Sequence, residues 1–260
     1  MSQPYPNYAD SGVDELPPLP AHWACEPLKR LCKVFPSNVD KHSAEGERKV
    51  HLCNYTDVYY RDKITSDIDF MVATATDQEI EKFSLRIGDT IFTKDSETAG
   101  DIASAALVVE DMPGVICGYH LSIARPTDRV EGAFVKCFFD SSFARAMFEV
   151  RANGLTRVGL GQRAVDNIPV PRPPLEEQRA IAAFLDRETG KIDALVAEQR
   201  RLIALLREKR QAVISHAVTK GLDPTAPMKP SGIDWLGEIP AHWSITKLGR
   251  LTTAMCDGPF

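Results

Sequence analysis

One 21-residue stretch of this chain occurs twice. SGVDELPPLPAHWACEPLKRL (Ser11–Leu31) and SGIDWLGEIPAHWSITKLGRL (Ser231–Leu251) align without gaps, with eleven identical positions and Pro-Ala-His-Trp in both. The offset is 220 residues. Solenoid repeats have periods of roughly 20–50 residues, so this spacing indicates duplication of a whole domain with its connector. The second copy runs close to the last residue, Phe260. Two readings follow: a chain cut off soon after its second half begins, or a half-length unit that pairs with another copy of itself. His22-Trp23 and His242-Trp243 read as structural pairs, with Trp anchoring a first strand and His capping or packing beside it. One histidine without partners makes neither a metal site nor a catalytic one.

The residues between the copies fall into two parts of different character. Residues 1–15 read as a flexible lead and 16–172 as a mixed α/β domain (α+β) with a strand-rich core. Trp23 to about Val34 reads as a short strand or helix start, and Ser37–Arg48 as a loop. Alternating apolar and polar residues over Lys49–Val58 predict a half-buried strand. Asp77–Leu85 reads as a short helix or loop, and Arg86–Lys94 as a Gly-Asp turn feeding an apolar strand. Further strands are expected over Ala103–Glu110 and Val115–Ala124, with a turn at Met112-Pro113-Gly114. Phe134–Val150 has helical periodicity, Asn153–Gln162 is Gly-rich and irregular, and Ile168–Pro173 is extended.

Residues 173–221 differ. Pro173-Pro174 and the acidic pair Glu176-Glu177 are helix-start signals, and Lys220-Gly221 is a stop. Ile181, Leu185, Ile192, Leu195, Leu202, Leu206 and Val213 form an apolar stripe between charged residues. Some 44 helical residues at about 1.5 Å each would span about 65 Å, with Thr189-Gly190 a possible bend. That is a coiled-coil strut, and its stripe needs a partner helix. Residues 222–260 then read as a linker and the start of a second domain.

The 260 residues carry a formal net charge of −5, which argues mildly against nucleic-acid binding. The distribution qualifies this. Asp57–Asp101 holds eleven acidic and five basic residues, whereas Ser141–Arg172 holds five arginines against Glu149 and Asp166. Six scattered cysteines show no zinc spacing and read as reduced thiols. No apolar run reaches the length of a membrane span, and the N-terminus lacks the pattern of a signal peptide.

The segment NIPVPRPPLEEQRAIAAFLDRETGKIDALV resembles the central conserved helix region of type I restriction–modification specificity subunits. WLGEIPAHW (Trp235–Trp243) and LPPLPAHW (Leu16–Trp23) resemble the openings of the two recognition domains in that family, and LRIGDTIFTK (Leu85–Lys94) resembles its Gly-Asp strand. The resemblance runs from about Leu16 onward. It implies a cytoplasmic, non-catalytic subunit without metal or cofactor. Each recognition domain would read half of a split double-stranded DNA target, with antiparallel helices as the ruler. Methyltransferase subunits and restriction–translocase subunits would dock on this scaffold, and a second copy would complete a half-length chain on a palindromic split site.

DNA contacts are expected from Asn153, Thr156, Arg157, Gln162 and Arg163, because glycines there let backbone approach phosphate, and next from Lys94 and Arg125. Arg200, Arg201, Arg207, Lys209 and Arg210 on the strut read as solubilising charges. An enzyme is the first rival: Cys256-Asp257-Gly258-Pro259-Phe260 echoes the loop of amino-methyltransferases. Glycine replaces that loop's first proline, and neither a cofactor loop nor a phosphate loop accompanies it. Asp89 and Lys94 lack the paired acidic residue of a nuclease centre. A pure coiled-coil oligomerisation protein is the second rival, disfavoured by the domain that precedes the helix.

Overall fold

The structure, a computed structural model, describes residues 5–14 and 16–252. It divides into two compact units, Met1–Glu188 and Thr189–Phe260. The Cys256–Phe260 sequence weighed above lies outside the described residues.

The expected flexible lead is folded where it is described. β1 (Tyr8–Ala9) pairs antiparallel with β2 (Leu19–Pro20), and Val13 and Leu16 pack on the core. β3 (Ala24–Pro27) and β4 (Cys32–Pro36) flank one 3-10 turn, in which Leu28 is fully buried. β5 covers only Arg48–Cys53. The strand expected through residue 58 stops because the Asp57 carboxylate accepts the Asn54 backbone N–H at 2.8 Å, which starts α1 (Tyr55–Tyr59). β6 (Lys63–Ile64) and β7 (Met71–Ala75) come before α2 (Asp77–Phe83), started by a capping box between Thr76 and Glu79.

β8 (Thr90–Thr93) leaves the Gly-Asp turn as expected, followed by β9 (Asp95–Ser96) and β10 (Ala105–Val108). The strand expected over 115–124 is two strands in different sheets, β11 (Val115–Cys117) and β12 (Leu121–Pro126). Between them His120 sits at a φ of 71°, which breaks the extended run. The helix expected over 134–150 is likewise two, α3 (Gly132–Asp140) and α4 (Ser142–Arg151). Ser141 separates them: its backbone is extended and its Oγ accepts the Ala144 N–H as an N-cap. β13 (Val158–Gly159), α5 (Gln162–Asp166) and β14 (Pro169–Arg172) lead into α6 (Leu175–Lys220), which stays helical through Thr189-Gly190.

The central sheet has the order β4-β12-β8-β10-β6, antiparallel except for the parallel β10–β6 pair. A second sheet, β11-β5-β7, covers one face. Strand alternation divides the apolar residues between two cores. Ile91, Ala106 and Ile123 face the second sheet, while their neighbours Phe92, Ala105 and Ala124 face α3, α4 and α5. Both faces of the central sheet are therefore covered, and this is why Thr90–Thr93 and Leu121–Ala124 are buried at every position instead of at alternate ones. Phe92, Phe139 and Phe148 form the aromatic centre of the helical side, with ring centroids 5.0 Å apart in succession. The start of α3 comes close to the Gly-Asp turn because Gly132 lies against Gly88, where a Cβ would stand 2.1 Å from the Gly88 carbonyl.

In the second unit the remainder of α6 is followed by the antiparallel pair β15 (Met228–Pro230) and β16 (Glu238–Pro240). That pair repeats β1–β2 at the 220-residue offset seen in the sequence. Among the described residues no helix is long and apolar enough to cross a membrane.

Candidate nucleic-acid interface and its helix junction

The first turn of α6 is fixed to the body of the first unit by the residues of its Pro-Pro-Leu-Glu-Glu-Gln motif. Gln178 is fully buried. Its Oε1 accepts the backbone N–H of Glu131, which caps α3, at 2.8 Å, and its Nε2 donates to the Pro173 carbonyl at 2.8 Å. Both ends of a buried amide are thereby satisfied, which is the condition for placing it there. Glu177 points to the opening segment. Its carboxylate takes hydrogen bonds from the Trp23 indole at 2.8 Å, the Tyr5 hydroxyl at 3.2 Å and the His22 ring at 2.7 Å. Burial alone would raise this carboxyl, but the bonds from His22 and Trp23 outweigh it and hold it below the usual carboxylate range. Arg179 reaches Glu131 and Lys63 reaches Asp186 further along. His22-Trp23 thus does structural work, as read from sequence, but its partner is a helix start 154 residues away.

At the loop end of the sheets a second cluster gathers around Asp95. The Arg157 Nε donates to Asp95 Oδ1 at 2.6 Å, and the His120 Nδ1 lies 2.8 Å from Oδ2. The hairpin that presents Arg157 is closed by mutual backbone bonds between Asn153 and Gly159 at 3.1 and 2.9 Å. Gly154 allows the tight tip, since its φ is 145° and a Cβ would meet the Arg157 carbonyl at 2.1 Å. Leu155 at that tip is entirely exposed. Lys94 lies beside the cluster, with Nζ 2.7 Å from the Ser37 carbonyl and 4.4 Å from the ring centre of half-exposed Tyr119. Burial lowers its ammonium from the ordinary value.

The sequence-predicted residues divide by this geometry. Arg157, Thr156 and Asn153 share the exposed hairpin, where Asn153 donates to the Arg151 carbonyl. Gln162 is tied by its amide to the Val34 carbonyl and to Asp166, while Arg163 is exposed nearby. Lys94 belongs to the same loop end. Arg125 does not. Its guanidinium is turned inward onto buried Asp89 and donates also to the Ser84 carbonyl, so it holds the Gly-Asp turn. Tyr119, His120 and Leu155 were not picked out from the sequence. A Gly-Tyr-His turn between two apolar strands, and a leucine among polar loop residues, were the available signals.

The helix-packing positions also separate. Ile181 packs on the helical-side core and Leu185 is half-buried. Ile192, Leu195, Leu202, Leu206 and Val213 are each between 46% and 60% exposed. Arg200, Arg201, Arg207, Lys209 and Arg210 are exposed as well. Among the described residues no group of three His, Cys, Asp or Glu could hold a metal ion.

The family described as "Type I restriction modification DNA specificity domain" matches residues 31–202 of this chain. A Methanocaldococcus jannaschii protein named as the MjaX type I restriction enzyme specificity subunit is 24% identical over 245 residues, covering 91% of this chain and 54% of that protein. The EcoKI specificity subunit of Escherichia coli K12 is 30% identical over 119 residues, 46% of this chain and 25% of that one. Among solved structures, the HsdS subunit of Thermoanaerobacter tengcongensis superposes with a TM-score of 0.52 at 20% identity, covering 83% of this chain and 48% of that one. A chain from a study of complex assembly in the type I R-M system superposes at 0.61 and 20% identity, covering 83% and 49%. The two structures share the fold, and this chain spans about half the length of these full proteins.

Proposed function

The chain belongs to the type I restriction modification DNA specificity family, and from that premise we propose that it reads one half of a split double-stranded DNA target. Residues 16–172 are the target-recognition domain, 173–221 the spacer helix, and 222–260 the linker and opening of a second recognition domain. The loop end around Asp95 reads the DNA: Arg157, Thr156, Asn153 and Arg163 offer donors for phosphate and base edges, with Lys94 beside them. The spacer helix carries the reader at a set distance from a second one. Modification methyltransferase subunits and restriction–translocase subunits, working on DNA in the cytoplasm, dock on this scaffold, and the chain supplies no catalysis of its own.

The observation that carries this reading is the junction. Gln178, buried between α3 and the helix start, makes reader and strut one body up to Glu188. A loosely tethered domain could bind DNA but could not fix a spacing. The test is reconstitution with the methyltransferase subunits, followed by sequencing of methylated adenines on random DNA. A split motif with one spacer length is expected, with binding that weakens steeply as salt rises. A complex that binds DNA without any sequence preference overturns the reading.

A further inference from the structure

Three segments of the loop end converge on one carboxylate. Asp95 is mostly covered, and both its oxygens are taken, Oδ1 by the Arg157 Nε at 2.6 Å and Oδ2 by the His120 Nδ1 at 2.8 Å. Backbone bonds fix the segments to one another. The Lys94 N–H donates to the His120 carbonyl at 3.0 Å, the Leu160 N–H donates to the Lys94 carbonyl at 2.8 Å, and β13 pairs with β9. The Tyr119 ring packs edge-on against the His120 ring, with centroids 4.4 Å apart. His120 holds its φ of 71° throughout, a left-handed conformation that costs a non-glycine residue free energy and gathers at ligand clamps.

The carboxylate decides what the other two side chains present outward. It only accepts, so Nδ1 carries the ring proton and Nε2 of the neutral imidazole is a bare acceptor. Arg157 has spent its Nε on Asp95, which leaves the end-on pair Nη1 and Nη2 as a fork of donors. Among the described residues neither Nε2 nor that fork has a hydrogen-bond partner. The His120 side chain is 35% and the Arg157 side chain 46% exposed. An acceptor and a donor fork are thus held side by side on one rigid mount. Phosphate oxygens only accept, so they have nothing to give Nε2, and Asp95 already offsets the charge of Arg157. The pattern suits base edges better than backbone.

We infer that Asp95 positions His120 and Arg157 to read one G·C pair of the target in the major groove, an inference that rests on the loop end being the DNA reader. Guanine offers two adjacent acceptors, N7 and O6, which fit the end-on guanidinium, and its cytosine offers the N4 amine, which donates to His120 Nε2. An A·T pair fails on both counts. Adenine sets an N6 amine beside N7, so one arm of the fork meets a donor, and thymine sets the O4 acceptor against the Nε2 acceptor. Asp95 touches no base. It acts as a positioning residue, choosing which imidazole nitrogen bears the proton and which edge of the guanidinium is free.

The experiment uses the chain assembled with its methyltransferase subunits. Selection from random DNA first locates the position that Arg157→Ala relaxes, where a G·C pair is expected. His120→Asn and Asp95→Asn should each relax that same position and no other. Asparagine keeps the turn because it accepts a positive φ, but its shorter side chain does not extend to where Nε2 stands. Two modified duplexes then probe the contacts. One replaces the cytosine by 2-pyrimidinone, which lacks the amine, and the other replaces the guanine by 7-deazaguanine, which lacks N7. The wild-type complex should bind each about tenfold more weakly. The His120→Asn complex should be indifferent to the first and the Arg157→Ala complex to the second. Relaxation at no position or at two separate ones, a pair other than G·C there, or amine loss that weakens His120→Asn as much as wild type overturns the inference and leaves the loop end as reader. A wild-type complex with no sequence preference in the first selection overturns both.

Discussion

Arg125 grips Asp89 through two parallel hydrogen bonds, Nε to Oδ1 at 2.9 Å and Nη2 to Oδ2 at 2.7 Å. Asp89 is fully buried, and its Oδ2 also accepts the Arg86 backbone N–H at 2.9 Å, closing the turn that launches β8. Removing the arginine leaves a buried, unpaired carboxylate, a change that costs about 3–5 kcal/mol. Arg125→Ala should therefore lower the denaturation midpoint sharply, and Arg125→Lys less so, since ammonium keeps the opposite charge but cannot make the paired contact. Folded Arg125→Ala protein should keep the wild-type DNA preference. A changed recognition sequence with unchanged stability would put Arg125 on the DNA instead.

The Glu177 carboxyl lies below the ordinary carboxylate range, so its ionised form is favoured by folding. Its contribution is present above the unfolded-chain value of about 4.5 and is lost as pH falls through the lowered folded value. Partial exposure of the carboxylate limits it to about 1 kcal/mol. Chemical denaturation of wild type and Glu177→Gln between pH 3 and 7 should show wild type ahead near neutrality, with the two curves converging in acid. Curves that stay parallel would mean that the ionised carboxylate adds nothing to the junction.

Arg157 is held by Asp95, yet its side chain is about half exposed on a hairpin whose tip is Leu155. If the guanidinium reads a base edge, Arg157→Ala costs about 1–3 kcal/mol of binding and relaxes one position of the target. If it contacts phosphate, binding falls evenly across sequences and the salt slope drops by about one. Leu155→Ser tests the tip separately: an apolar wedge in a groove would lose affinity, while the fold, which does not bury Leu155, stays intact. Selection from random DNA at several salt concentrations separates these outcomes.

The sequence made the large divisions legible and the small ones obscure. The duplication, the strand-rich body and the α6 strut were visible because each depends on a pattern longer than ten residues. The breaks at Asn54, His120 and Ser141 depend on single capping or positive-φ residues inside apolar runs, and periodicity averages over them. Arg125 was placed on the DNA because an exposed and a buried arginine look alike until Asp89 is seen beside it. The part played by His22 and Trp23 was structural, as their sequence suggested. Glu177, 154 residues distant from Trp23, could not be named as their partner from spacing alone.

The strut presents one further relationship open to measurement. Leu202 is 46% and Leu206 54% exposed, one helical turn apart on the same stripe as Leu195 and Val213. Burying a leucine contributes about 1.5–3 kcal/mol, so a partner helix covering two of them gains enough to decide whether two struts associate. Leu202→Asp with Leu206→Asp places two charges in that seam and should weaken association of strut with strut at least about a hundredfold. The recognition body ends before these residues, at Glu188, so its unfolding midpoint should not change. Sedimentation at several concentrations reads the first effect and thermal unfolding the second. Association that survives both aspartates would assign the stripe to solvent.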